Sequence, residues 1–293
     1  MLDLHSHTTA SDGLLLPAAL VARAAAAGVQ ALAVTDHDTL AGLVAAREAA
    51  AAVGIEIITG VELSATRADG SSLHVLGYLF DELDAALGEV LWKLSDARQV
   101  RNARIAERLS LLGMPIDFAS MVAAAAATQG QVGRPHFARA MVARGYVQSE
   151  EEAFARWLGD GRPACVERFV LSPAEAIEAL HRAGGIAVLA HPLAYGRAPE
   201  QADRLLKELA GAGADGVEVY YPDHTPGEEA MLRALATRHG LMEAGGGDFH
   251  AEPWPERPRI PLGVLAPLRA RAEERAQERA RETARQGARE RAS

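Results

Sequence analysis

The chain has 293 residues, enough for one large domain or two small ones around a substantial core. Its composition, 49% hydrophobic and 24% charged, excludes wholesale disorder, and its single cysteine, Cys165, excludes a disulfide framework or a zinc site built from several thiolates. Net charge is −9 but uneven: the segment from Leu268 to Ser293 carries +3, which leaves the preceding residues at −12, a poor surface for stable duplex nucleic-acid binding.

In chain order, strand patterns fall at Leu2–His5, Ala31–Thr35, Ile55–Leu63, Leu73–Tyr78, Ile186–Ala190, Gly216–Tyr220 and Leu241–Gly245. Helical patterns follow several of them, at Pro17–Ala27, Leu40–Val53, Pro173–Ala183, Ala202–Ala212 and Pro226–His239. Ser172-Pro173-Ala174-Glu175 and Thr225-Pro226-Gly227-Glu228 read as capping boxes with proline at the first helical position. Gly28, Gly54, Gly184 and Gly240 stand where helices should stop. Such alternation predicts a mostly parallel sheet, open or closed into a barrel.

The alternation breaks between Tyr78 and Ile186. Asp84–Leu112 reads as a long amphipathic helix, with shorter helices near Asp117–Ala127, Arg134–Arg144 and Glu150–Leu158. The expected organisation is a first barrel part over 1–80, a helical insertion over 81–170, a second barrel part over 171–265 and a charged helical tail over 266–293. That tail has few large apolar residues and is expected to be solvated and partly frayed. The longest apolar stretch, Leu14 to Val34, is interrupted by Pro17, Arg23 and Gln30, so no membrane span is expected. Asp3, His5, His7 and Asp12 make the first residues unlike a signal peptide, and a cytoplasmic location is the expectation.

Seven of the ten histidines lie next to a strand end or in a polar loop. His5 and His7 are two residues apart, and alternate strand residues point the same way. Asp12 follows in Ser11-Asp12-Gly13, and Thr35-Asp36-His37-Asp38 closes the second strand. Glu62 ends the third strand, His74 begins the fourth, His191 closes the fifth, His224 follows the sixth, and Asp248 and His250 follow the seventh. A lone histidine is more often a packing or surface residue than a ligand, but strand ends of a parallel barrel converge on one face. Imidazoles and carboxylates without thiolates suit Mn²⁺, Fe²⁺ or Zn²⁺ at a hydrolytic site. His181 and His239 sit late in helices before glycine and read as structural, meeting the helix C-terminus.

Together His5-Ser6-His7, Ser11-Asp12-Gly13, Thr35-Asp36-His37-Asp38, Gly60-Val61-Glu62, His191-Pro192 and Asp248-Phe249-His250 resemble the motifs of the polymerase and histidinol phosphatase (PHP) superfamily. Within it the chain is most similar to bacterial phosphoesterases acting on 3′,5′-nucleoside bisphosphates and on the 5′ ends of short RNA. The resemblance implies a distorted seven-stranded (β/α) TIM-like barrel with a helical insertion and three divalent cations, Mn²⁺ before Fe²⁺ or Zn²⁺. It implies one ion on His5, His7, Glu62 and Asp248, a second on Glu62, His74 and His191, and a third on Asp12, His37 and His250. A hydroxide formed between ions bridged by Glu62 would attack phosphorus in line, with the cluster neutralising phosphate oxygens.

Gly133-Arg134-Pro135-His136 resembles a segment that reaches over the metals, making Arg134 and His136 candidate phosphate contacts; the alternative is a helix start with a solvated arginine. His224 is a candidate for phosphate binding or for protonating the leaving oxygen, against an ordinary loop histidine. Two positions depart from the relatives: His191-Pro192 is followed by Leu193-Ala194-Tyr195 rather than Gly-Arg-Tyr, leaving Arg197 as the nearest arginine, and Gly247 replaces a serine before Asp248. The expected partner is a small phosphorylated nucleotide or short RNA. The rivals are a histidinol-phosphate or other small-molecule phosphatase, and a non-catalytic module of the kind attached to DNA polymerases.

Overall fold

The computed structural model describes residues 1–194, 197–254 and 260–290. Its strands are β1 (Leu2–Asp3), β2 (Ala31–Val34), β3 (Glu56–Thr66), β4 (Ser72–Tyr78), β5 (Ile186–Leu189), β6 (Gly216–Tyr220) and β7 (Met242–Gly245), joined in sequence order into one sheet. The edges nearly close: Leu4 N donates to Gly245 O at 3.2 Å and His7 N to Phe249 O at 2.9 Å, and Ser6 bridges Phe249 in parallel. The β1 ladder is therefore shorter than its sequence pattern, because from Leu4 onward the chain follows the extension of β7.

β1, β2 and β3 are parallel, as are β5, β6 and β7, but β4 runs antiparallel to both neighbours. The reason is local. Only residues 67–71 separate β3 from β4, far too few for the crossover that a parallel pair requires. Asp69 accepts the amide of Ser71 at 2.9 Å and Gly70 takes φ +82°, which sets the hairpin turn. Reversal puts the start of β4 at the same mouth as the ends of the other strands, so His74 faces the site from the beginning of its strand.

Helices α1 (Pro17–Ala26), α2 (Leu43–Val53), α7 (Pro173–Arg182), α8 (Pro199–Gly211) and α9 (Pro226–His239) cover the barrel. Ser172 and Thr225 cap α7 and α9 reciprocally with Glu175 and Glu228, satisfying amides that a helix start leaves bare. The insertion holds α3 (Ala85–Leu111), α4 (Phe118–Ala127), α5 (Arg134–Ala143) and α6 (Glu150–Ala153), the last running into a wider π turn at Phe154–Leu158. The first turns of α3 place Leu87, Leu91 and Leu94 in the barrel core, while Ile105 and Leu109 enter a separate core with Met114, Phe137, Met141 and Leu158.

The tail is more firmly held than its apolar content predicts. Helix α10 (Leu265–Glu290) buries Leu265, Leu268 and Ala272, and arginines at helical spacing fasten it to the base of the barrel. Arg271 and Arg275 reach Asp215 at 3.1 and 2.8 Å, and Arg279 reaches Asp81 and Asp84 at 3.0 and 2.6 Å. Charge complementarity does there what the missing apolar stripe does not. Among the described residues no helix is long and apolar enough to cross a membrane.

Candidate active site

Glu62 stands at the centre of the barrel mouth, 1% exposed. Its Oε2 lies 3.3, 3.2 and 3.1 Å from nitrogens of His5, His7 and His37; its Oε1 lies 2.9 and 3.2 Å from His74 and His191. Asp248 Oδ1 is 3.2 Å from both His5 Nε2 and His7 Nε2. Asp12 faces His250 at 3.3 Å and His37 at 3.7 Å. The nine residues read from sequence as donors thus meet in one cup. Donor atoms of His5, His7, Glu62 and Asp248 lie within 4.8 Å of one another, as do those of His7, Asp12, His37 and His250, and those of His37, Glu62 and His74.

Two observations test whether this cup suits cations. Asp12 Oδ1, Glu62 Oε2, His37 Nδ1 and His74 Nδ1 are buried with no hydrogen-bond partner, a costly arrangement unless something else satisfies them. The donors are also held from behind. His5 turns Nδ1 toward Glu218 at 3.1 Å, so Nε2 faces the cup, and Glu218 also accepts the His191 amide at 2.7 Å. Behind His7, Ser11 Oγ lies 3.4 Å from Nδ1 and donates to Asp36 at 2.6 Å. Tyr221 donates to Asp248 Oδ2 at 3.0 Å. The residues present fit divalent cations.

The electrostatics follow from crowding in a dry site. Burial pushes Glu62 upward, but His37, His74 and His5 around it hold its carboxyl well below the usual range. Burial carries His37 down to about 3, and Asp3, beneath the cup, up to about 7. Asp38, His191 and Asp248 adopt φ of +55°, +27° and +45°, strain that the surrounding structure maintains beside the donors.

The cup opens into a cavity of about 660 Å³ roofed by the insertion. Arg98, Arg101, Arg134 and Arg168 line it together with Asp12, Glu62, Asp248 and Tyr221. Arg134, singled out in the sequence, is tied to Asp160 at 2.8 Å. His136 and His224 do not line the cavity among the described residues. Nδ1 of His136 accepts the Gly133 amide at 2.9 Å and so caps α5, and Nδ1 of the buried His224 lies 2.8 Å from the Val219 carbonyl. Arg197 donates to the Ser72 carbonyl at 2.9 Å, whereas its neighbour Tyr195 lies outside the described residues. His181 and His239 sit 2.7 Å from Asp215 and Asp203, far from the cup.

Sequence reading missed Glu218, Tyr221, Arg98, Arg101 and Arg168. Glu218 had a signal, since a carboxylate in the middle of the apolar strand Gly216–Tyr220 demands a buried partner. The arginines had none: Arg98 and Arg101 on a long helix, and Arg168 in the irregular segment that returns from the insertion, resemble any solvated positions.

Barrel and donor set define the class, a hydrolase whose mouth suits divalent metal ions. The PHP domain model matches residues 3–158, and the chain belongs to that family. It is 40% identical over 248 residues to a 5′-3′ exoribonuclease of Haemophilus influenzae, covering 85% of this chain and 89% of that one. It is 34% identical over 250 residues to a 3′,5′-nucleoside bisphosphate phosphatase of Chromobacterium violaceum, covering 85% and 87%. A solved structure from Bifidobacterium adolescentis, described as a candidate metal-dependent phosphoesterase, superposes with a TM-score of 0.82 at 30% identity over 92% of this chain and 96% of that one.

Proposed function

We propose that the protein is a metal-dependent phosphoesterase acting on 3′,5′-nucleoside bisphosphates or short 5′-phosphorylated RNA. The observation that carries this is Glu62, whose two oxygens face five imidazoles and can therefore bridge cations. Three ions are proposed, Mn²⁺ before Fe²⁺ or Zn²⁺: one on His5, His7, Glu62 and Asp248, one on Glu62, His74 and His191, and one on Asp12, His37 and His250. Cations bound there supply positive charge for phosphate oxygens and acidify water. The chain's own part is to fix the donors. Glu218 and the Ser11–Asp36 pair orient His5 and His7, Tyr221 steadies Asp248, and the insertion covers the reacting phosphate. Arg134, at the cavity wall, is the substrate contact proposed from its segment; His136 and His224 are engaged in capping α5 and holding the Val219 carbonyl.

Elemental analysis after Mn²⁺ reconstitution should find two to three ions per chain, with fewer than one refuting the cluster. Glu62→Ala should lose both metal and activity, while His181→Ala keeps both. The substrate panel is adenosine 3′,5′-bisphosphate, 5′-phosphorylated RNA oligomers and histidinol phosphate. Preference for the last would overturn the nucleotide reading.

A further inference from the structure

The insertion is built as a body of its own, since Ile105, Leu109, Met114, Phe137, Met141 and Leu158 form a core separate from that of the barrel. Where it meets the barrel mouth, the barrel side of the seam is the loop over residues 8–13, which carries Asp12. From below, that loop is fixed. The Thr8 amide and hydroxyl and the Ser11 hydroxyl donate to Asp36 at 2.8, 2.7 and 2.6 Å, and Leu14 N donates to the His250 carbonyl at 2.7 Å.

From above, the insertion reaches the same loop at three points. Helix α4 is followed by Gln129 in the left-handed region, φ +56°, which turns the chain so that Gly130 lies against Thr9. A Cβ on Gly130 would sit 1.9 Å from the Thr9 carbonyl oxygen. The next amide, Gln131 N, donates to the Ala10 carbonyl at 3.1 Å. Arg139 donates through Nη2 to the carbonyl of Asp12 itself at 3.3 Å. Phe137 and Met141 anchor α5 in the insertion core, so the insertion rather than the barrel sets the place of this guanidinium. His5, His7 and Asp248 differ, being backed by Glu218, Ser11 and Tyr221 of the barrel. The seam is also incompletely paired. Thr9 Oγ1 and Gln131 Oε1, one from each side, are buried with no hydrogen-bond partner among the described residues. A joint with unsatisfied groups is less costly to open than a fully paired one.

We propose that the insertion seats the Asp12 loop and so sets the affinity of the ion assigned to Asp12, His37 and His250, with Arg139 as the positioning residue. The proposal rests on the three-ion reading above and deepens it: two ions belong to the barrel alone, and the third binds when the roof is docked. By reciprocity, an ion in that place holds the roof down.

The test titrates Mn²⁺ into metal-stripped full-length protein by calorimetry, with elemental analysis of the products. Removing a group that orients a metal ligand weakens metal binding by about 10- to 100-fold, so Arg139→Ala should weaken one ion by that factor and leave the other two within about twofold. Arg139→Lys, which keeps a cationic donor, should recover part of the loss, and the exposed Arg144→Ala on the same helix boundary should lose nothing. Gly130→Ala, which displaces the loop without deleting a polar group, should weaken the same ion. In a His250→Ala background, which already lacks a donor to that ion, Arg139→Ala should have no further effect on metal binding. Hydrogen exchange supplies a second readout. Filling the last site should slow amide exchange over residues 114–132 of the wild type, and the gain should shrink in Arg139→Ala. Equal weakening of all ions, third-ion affinity within twofold of wild type in both Arg139→Ala and Gly130→Ala, or exchange in the insertion that ignores Mn²⁺ would each overturn the coupling. If the wild type takes only two ions, the three-ion reading fails and the coupling falls with it.

Discussion

Replacing Asp38 removes the carboxylate that, among the described residues, alone forms ion pairs with two nearly buried arginines, Arg98 and Arg168. Its side chain is inaccessible, and those of Arg98 and Arg168 are 9% and 8% exposed. It also accepts the Ser64 amide at 2.8 Å and the Ser64 hydroxyl at 2.9 Å, so one carboxylate joins the end of β2, the middle of β3, α3 and the segment returning from the insertion. Burial alone would raise its carboxyl, but Arg98 and Arg168 hold it below the usual carboxylate range. Breaking a buried pair by deleting one partner costs about 3–5 kcal/mol. Both guanidiniums can turn partly toward the cavity, so Asp38→Ala should fall near the low end, about 3 kcal/mol, or roughly 6–12 °C in melting temperature. Asp38→Asn keeps an acceptor for Ser64 and should lose less. Adding Arg168→Ala to Asp38→Ala should recover about 1 kcal/mol, since one stranded cation goes with it. Calorimetric or denaturant unfolding of the five proteins, with Arg168→Ala alone completing the cycle, measures this. A loss under 1 kcal/mol for Asp38→Ala, or strict additivity in the double variant, would mean that the roof does not depend on this carboxylate.

Two further predictions concern the base of the barrel and the floor of the cup. Burial pushes Asp215 upward, but His181, Arg275 and the Ala187 amide hold it down at about 2, against 3.8 unfolded. The unfolded chain therefore binds more protons in that window: the stabilisation is complete above about pH 4 and disappears as pH falls through 2. The stability gap between wild type and Asp215→Asn, roughly 2 kcal/mol near neutrality, should close between those limits, and a gap unchanged from pH 5 to pH 2 would refute the latch. At the cup, a Cβ on Gly246 would sit 2.1 Å from His5 Cβ and 2.3 Å from His5 N. Gly246→Ala should cost about 1–3 kcal/mol or more and reduce bound metal, whereas Gly211→Ala, with open space around it, should do neither. Wild-type metal content in Gly246→Ala would show that His5 can yield without loss.

The convergence of the nine candidate donors was legible because their chemistry is written locally: a histidine or carboxylate beside an apolar run identifies itself, and the strand–helix spacing brings such positions together. Capping boxes at Ser172 and Thr225 were legible for the same reason. The direction of β4 was not drawn from the alternation, although the five residues from Arg67 to Ser71 already forbid a crossover; it took the sheet to show that His74 belongs to the mouth. Glu218 and Tyr221 act on donors from strands and loops far away in sequence. The hold of α10 depends on Asp215, Asp81 and Asp84, remote carboxylates that happen to lie beneath Arg271, Arg275 and Arg279. Above all, whether an arginine on α3 is solvated or buried is decided by what the insertion places over it. Residue type and spacing determine which groups can coordinate or cap, but the energy of a charge depends on its surroundings, and only the folded chain supplies the dry wall in which Arg101 is held by Asn102 and, among the described residues, makes no ion pair.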